Sequence, residues 1–221
     1  MSVVSYEGHP FCAHRSESVG AMYKWPHKNI SWCIVADLPT IPRDSFRRAV
    51  AEAFRRWSAV CGIQPFEKAD ADVQAVNVVI GIQREQPGNV LADCELPIGK
   101  SATGSVRMRV DTQEVWSLAD NPPRDRVDLI RVLAHELGHG LGCSHGPTGC
   151  LMAPMYSTTI REPQAWDINE MRARYGDPLP VQPPPATTPS DPAGDAELLR
   201  IIRRGGKLFV RSTRTGGEME L

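Results

Sequence analysis

Apolar residues recur at helical spacing in two stretches of the chain and cluster at strand spacing in four others. Between residues 42 and 61, Phe46, Ala49, Val50, Ala53, Phe54, Trp57 and Val60 follow i, i+3 and i+4 intervals, and Gly62 offers a stop beyond them. This predicts an amphipathic helix whose stripe must cover a sheet. Strands to supply that sheet are predicted at 30–38 (ISWCIVADL), 76–82 (VNVVIGI), 89–96 (NVLADCEL) and 105–110 (SVRMRV). In DRVDLIRVLAHELGHGLG, Val127, Ile130, Leu133, Ala134, Leu137 and Leu141 aim a second stripe at a core. Asp125 and Asp128 suit the positive N-terminal end of that helix. A mixed sheet carrying helices, an α+β arrangement, follows.

The pattern stops after Gly176. Residues 177–195, DPLPVQPPPATTPSDPAGD, are dense in proline, which removes amide donors and favours extended chain, so they read as a semi-rigid linker. Residues 196–221 hold two apolar and basic runs around Gly205 and Gly206, as a β-hairpin does, in a piece too short to stand alone. Arg200, Arg203, Arg204, Lys207, Arg211 and Arg214 give this segment two readings: a tether to an acidic surface or partner, or a solvated hairpin. The chain thus divides into an N-terminal extension (1–20), a main domain (21–176), a linker (177–195) and a short basic segment (196–221).

Composition narrows this picture without naming a partner. With 221 residues, 41% hydrophobic and 23% charged, the chain can bury one sizeable core and is expected to be a monomer. A formal net charge of −1 provides no global field for nucleic acid or an anionic membrane, so no nucleic acid partner is expected. The N-terminus lacks a basic start followed by an apolar run, and no segment approaches the ~18 apolar residues of a membrane helix. The chain therefore reads as soluble, with no recognisable signal peptide. Six cysteines allow two or three bridges, which leaves the compartment open and export by a non-standard route among the alternatives.

The chemistry concentrates in HELGHGLGCSH, residues 135–145. His135 and His139 stand four residues apart, so they share one helix face and can grip a single cation. Glu136, beside the first ligand, can reach a water bound to that cation. Gly142 lets the chain leave the helix abruptly, so His145 can return as a third ligand. Three neutral histidines and one open position describe a catalytic zinc, whereas a structural zinc takes four protein ligands. Glu136 is then the general base of a metal-assisted amide hydrolysis.

The motif, followed by LMAPMY at 151–156, resembles the catalytic domain of the matrixins, the matrix metalloproteinase family of the metzincins. KWPHKNISWCI, AVAEAFRRWSAV, VLADCELP, VDTQEVW and DINEMRARYG extend the likeness from about residue 21 to 176, in the family's order. The resemblance implies a twisted mixed five-stranded sheet with three helices and a zinc cleft below the edge strand. It implies that Met152 is the methionine of the turn beneath the zinc, that 154–156, with Pro154 and Tyr156, wall the main substrate pocket, and that Leu91 and Ala92 are the edge on which an extended polypeptide substrate pairs. Asp111 and Glu114 match two calcium ligands of the family, so Ca2+ joins Zn2+ as a candidate cofactor. The side chain just after the cleaved bond is expected to be hydrophobic.

The chain also departs from the family. The Pro-Arg-Cys-Gly segment that silences matrixins is absent, and Cys12, in HPFCAH, is the lone N-terminal cysteine. Asp93 and Arg109 stand where the family's structural zinc takes histidines, so a second zinc is not expected. Cys143 and Cys150 either bridge and stiffen the third ligand or stay as two buried thiols, and Cys33 with Cys61 is a weaker candidate pair. The sequence therefore points to a zinc endopeptidase. The alternatives are a zinc amidase or peptidase acting on cell-wall or small peptides, and a non-catalytic peptide-binding module.

Overall fold

The helix expected over 42–61 forms as α1 (Arg43–Ser58), which begins where Pro42 fixes its backbone at φ −55° and its carbonyl accepts from the amides of Ser45 and Phe46. The computed structural model describes residues 6–8, 10, 22–68, 73–83, 90–100, 102–180, 199–204, 207–212 and 218–220. The face of α1 that carries Phe46, Ala49, Val50, Ala53, Phe54 and Trp57 is buried, as the 3.6-residue spacing requires. Phe54 stacks on Trp32 of strand β1 (Asn29–Ile34) at 5.8 Å between ring centroids. Full burial of each such side chain contributes roughly 1.5–3 kcal/mol.

The sheet has five strands in the order β2-β1-β3-β5-β4. β2 (Gln64–Glu67), β1, β3 (Val78–Gln83) and β5 (Val106–Asp111) run parallel, and β4 (Ala92–Cys94) closes one edge antiparallel to β5. β2 was not among the strands expected. None of its four residues is buried, and Pro65 interrupts it, which is tolerated because β2 is an edge strand. β4 is shorter than the expected 89–96. Register sets Asp93 directly opposite Arg109, and the two form a bidentate pair at 2.8 and 2.6 Å.

Helix α2 (Leu129–Gly140) is entered through a two-residue strand, β7 (Val127–Asp128), parallel to β6 (Trp116–Ser117). Asp128 caps it, its carboxylate accepting from Arg131 N at 3.2 Å. Asp125, also expected in the first turn, lies outside the helix. Every residue of α2 except Ile130 is buried, so it is a core helix and not a one-striped one. Trp57 Nε1 donates to Ala134 O at 2.8 Å and Trp25 Nε1 to Gly140 O at 2.9 Å, tying α2 to α1 and to the start of the domain. Helix α3 (Ala165–Tyr175) opens with a capping box between Gln164 and Asp167.

The mixed five-stranded sheet with three helices is thus the observed α+β architecture. It lies within one compact unit, Met1–Leu179. A second unit, Pro180–Leu221, contains β8 (Leu199–Arg204), β9 (Lys207–Ser212) and β10 (Glu218–Glu220), each antiparallel to its neighbour, with Arg204 paired to Lys207. The proline-rich stretch lies outside the described residues from position 181 on, as does Cys12. Among the described residues no helix is long and apolar enough to cross a membrane.

Candidate metal centre

His135 and His139 are set one turn apart by α2, and the chain reverses at Gly142 to return His145. Gly142 adopts φ +99°, and a Cβ there would lie 2.1 Å from Tyr23 O, so both the backbone sign and the close approach require glycine. Tyr175 donates its hydroxyl hydrogen to Leu141 O at 2.8 Å and Arg174 Nε donates to Gly142 O at 3.0 Å, fixing the reversal. One ligand atom from each of the three histidines lies within 4.8 Å of the others. Among the described residues this is the one group of three or more such side chains that could hold a metal ion.

The second ring nitrogens explain why these imidazoles face inward. His135 Nδ1 donates to Leu151 O at 2.8 Å, and His139 Nδ1 donates to Cys143 O at 2.7 Å. A carbonyl only accepts, so both Nδ1 atoms carry the proton and both Nε2 atoms present lone pairs. The two Nε2 atoms stand 3.2 Å apart. Facing lone pairs repel unless a shared cation lies between them, and backbone carbonyls on the outer nitrogens are the usual support of metal-bound histidine. The donor set therefore fits zinc.

Glu136 is fully buried, and neither carboxylate oxygen has a hydrogen-bond partner among the described residues. Burial, with a smaller contribution from the Asp93 charge, pushes its carboxyl well above the ordinary range. A buried carboxylate without partners is costly unless a positive ion or a proton donor completes the site.

Met152 packs beneath α2: a Cβ at Gly138, between the first two ligands, would lie 2.3 Å from its sulfur. This is why the residue before His139 has no side chain. Asp167, which the sequence reading passed over, holds this turn. Its carboxylate accepts from Leu151 N at 2.8 Å, Met152 N at 3.0 Å and Gln164 N at 2.7 Å. The Gln-x-x-Asp spacing of a capping box was its only local signal. Because Leu151 O in turn holds His135, Asp167 positions a ligand at one remove. Asp167→Ala should lower stability by about 3 kcal/mol, since two buried amides and a half-buried one lose their shared acceptor. It should also weaken zinc binding by roughly tenfold to a hundredfold. Thermal unfolding and a competitive zinc titration check the two effects.

The remaining expected residues are distributed as follows. Leu91 and Ala92 are buried at the β4 edge, where Leu91 O accepts from Asp111 N. Pro154 is exposed, whereas Tyr156 is 2% exposed and its hydroxyl oxygen accepts from Asp128 N at 3.1 Å. The tyrosine ring is therefore part of the core. The Asp111 carboxylate accepts from Gln113 N at 2.6 Å, and Glu114 engages the Tyr6 hydroxyl. Two contacts bring the described N-terminal residues to the 154–156 segment: Gly8 N donates to Tyr156 O at 2.9 Å, and Pro10 pairs antiparallel with Met155.

Of the two alternatives the thiols hold: neither candidate bridge is formed, and Cys33, Cys61, Cys143 and Cys150 are free, buried thiols. Cys150 Sγ instead donates to Pro147 O at 3.0 Å. Burial pushes the Cys143 thiol up to about 12 and the Cys61 thiol to about 11. The thiolate is the nucleophile, so both should resist iodoacetamide at pH 8 in the folded protein and react on denaturation. Mass spectrometry of labelled peptides reads this directly.

Comparison with known proteins gives a match to the Matrixin family model over residues 24–176. Interstitial collagenase A of Mus musculus is 30% identical over 199 residues, covering 84% of this chain and 41% of that protein. Matrix metalloproteinase-16 of Rattus norvegicus is 30% identical over 186 residues, 76% of this chain and 30% of that protein. Interstitial collagenase of Sus scrofa is 33% identical over 177 residues, 75% of this chain and 36% of that protein. The chain spans less than half the length of each of these relatives.

Proposed function

The chain belongs to the matrixin family, and from that premise we propose that it is a zinc-dependent endopeptidase acting on extended polypeptides. One observation carries the reading: the Nε2 atoms of His135 and His139 converge at 3.2 Å beside a fully buried Glu136 whose two oxygens lack partners among the described residues. His135, His139 and His145 hold the ion. When bound, zinc supplies Lewis acidity to a substrate carbonyl and acidity to a water.

The residues of the chain do the rest. Glu136 takes a proton from the attacking water and passes it to the leaving amide nitrogen. The edge at Leu91 and Ala92 offers main-chain groups to an extended substrate, and segment 154–156 bounds the other side. Met152 supports the ligands from below. The chemistry is carried by residues 21–176.

The test is to incubate zinc-loaded protein with a protein mixture and, separately, with cell-wall material, and to identify the products by mass spectrometry. New termini inside polypeptide chains are expected. Products from cell-wall peptides alone would replace this reading with that of a cell-wall amidase.

A further inference from the structure

We propose that Trp166 is a positioning residue for the third zinc ligand: its ring seats against Gly146 and holds the loop that presents His145, so that the bound ion is released slowly. The proposal rests on the zinc peptidase reading above and concerns how that site keeps its metal.

His145 is the ligand that the helix does not fix. His135 and His139 are buried on α2, whereas His145 is half-buried and lies beyond the reversal at Gly142. Its ring centroid stands 4.8 Å from that of His139 and 5.5 Å from that of His135. That placement depends on residues 146–152, which belong to no helix or strand. Pro147, Thr148 and Gly149 at the tip of this loop are exposed, so the tip contributes few buried contacts.

The loop is held at its two ends instead. Gly146 N donates to Met152 O at 2.9 Å, and Cys150 Sγ donates to Pro147 O at 3.0 Å. A Cβ added at Gly146 would lie 2.5 Å from Trp166 Cζ3, 2.6 Å from Trp166 Cε3 and 2.6 Å from Cys150 Sγ. Gly146 is not among the glycines with positive φ, so lack of space, and not the sign of the backbone angle, requires glycine there. The Trp166 ring thus rests on the backbone one residue after the ligand, as closely as a missing side chain permits.

Trp166 is itself braced. It packs against the main core and stands in the first turn of α3, which the box between Gln164 and Asp167 caps. The next residue, Asp167, binds Leu151 N and Met152 N at the far end of the loop. Two consecutive residues of α3 therefore grip the loop, Trp166 by contact at Gly146 and Asp167 by hydrogen bonds at 151 and 152. A ligand carried on a loop keeps its aim only as well as the groups behind it are fixed.

The experiment uses the full chain loaded with one equivalent of zinc and follows transfer of the ion to an excess of a chromogenic chelator, a readout that needs no substrate. Trp166→Ala should release zinc roughly tenfold faster than the parent, and Trp166→Phe, which keeps a ring, should stay within about threefold of it. Ile34→Ala, which removes a half-buried core contact in β1, should leave the rate unchanged. Gly146→Ala should speed release by a larger factor in the parent than in Trp166→Ala protein, because the added methyl meets the ring only where the ring is present. With zinc in excess, Trp166→Ala should lower kcat severalfold and leave KM within about twofold. Equal release rates for the parent and Trp166→Ala overturn the proposal, and so does an equal acceleration by Ile34→Ala; either result leaves the peptidase reading intact. Should Trp166→Ala fold poorly, Trp166→Leu serves with the same expected direction, and equal release rates again overturn the proposal. If the release rates follow the expectation but the loaded parent cleaves no polypeptide, the positioning role stands and the peptidase reading fails.

Discussion

His139→Ala protein is expected to lose zinc and activity together. The imidazole is 1% exposed, its Nδ1 is committed to Cys143 O, and its Nε2 meets that of His135 at 3.2 Å. Alanine removes one of three ligands and leaves two histidines that no longer enclose the ion. Zinc content should fall to roughly a tenth of an equivalent or less after dialysis, and peptide turnover should fall by about a thousandfold or more. Cys143 O also loses its donor, so the metal-free variant should melt below the metal-free parent. Metal analysis, a turnover assay and a thermal scan on one preparation measure all three. A variant that kept a full equivalent of zinc would remove His139 from the ligand set.

Glu136→Gln separates the base from the metal. Glutamine keeps the shape of the side chain and lies outside the ligand set, so zinc should stay near one per chain while turnover falls by about a hundredfold or more. Stability should move the other way. A carboxyl whose folded pKa is raised by burial binds its proton more tightly in the folded state than in the unfolded one. Stability is therefore lost as pH rises past the unfolded value of ~4.3. Without metal, the neutral Gln variant should be at least as stable at pH 7 as the parent, whose buried carboxylate has no hydrogen-bond partner among the described residues. Parallel denaturation curves of the two metal-free proteins check the sign.

Much of this site could be read along the chain because helices impose fixed spacing. His135, Glu136 and His139 needed only a 3.6-residue period, and His145 only the positive φ that Gly142 provides. The α1 stripe was legible for the same reason. β2 was not, because a four-residue edge strand with Pro65 and no buried residue carries no alternation to detect. The N-terminal limit of α2 was blurred because two aspartates preceded it, and only the side-chain geometry singles out Asp128 as the cap.

Asp167 and Trp166 were invisible for another reason. Each acts on backbone groups far along the chain: Asp167 on Leu151 and Met152, and Trp166 on Gly146. Such pairings are made by packing and leave no local pattern. Whether Cys143 and Cys150 bridge or stay as thiols was illegible for a related reason, since seven residues of separation say nothing of where two sulfurs point.

The measurement that bears most directly on the central claim is metal removal and return on the unaltered chain. Protein dialysed against a chelator and shown to be zinc-free is assayed on a peptide it cleaves when loaded, and zinc is then restored in stoichiometric amount. The account predicts that cleavage disappears with the metal and returns as zinc approaches one equivalent, while the Glu136→Gln protein treated identically binds the equivalent and stays inactive. Cleavage at an undiminished rate by the zinc-free chain would contradict it.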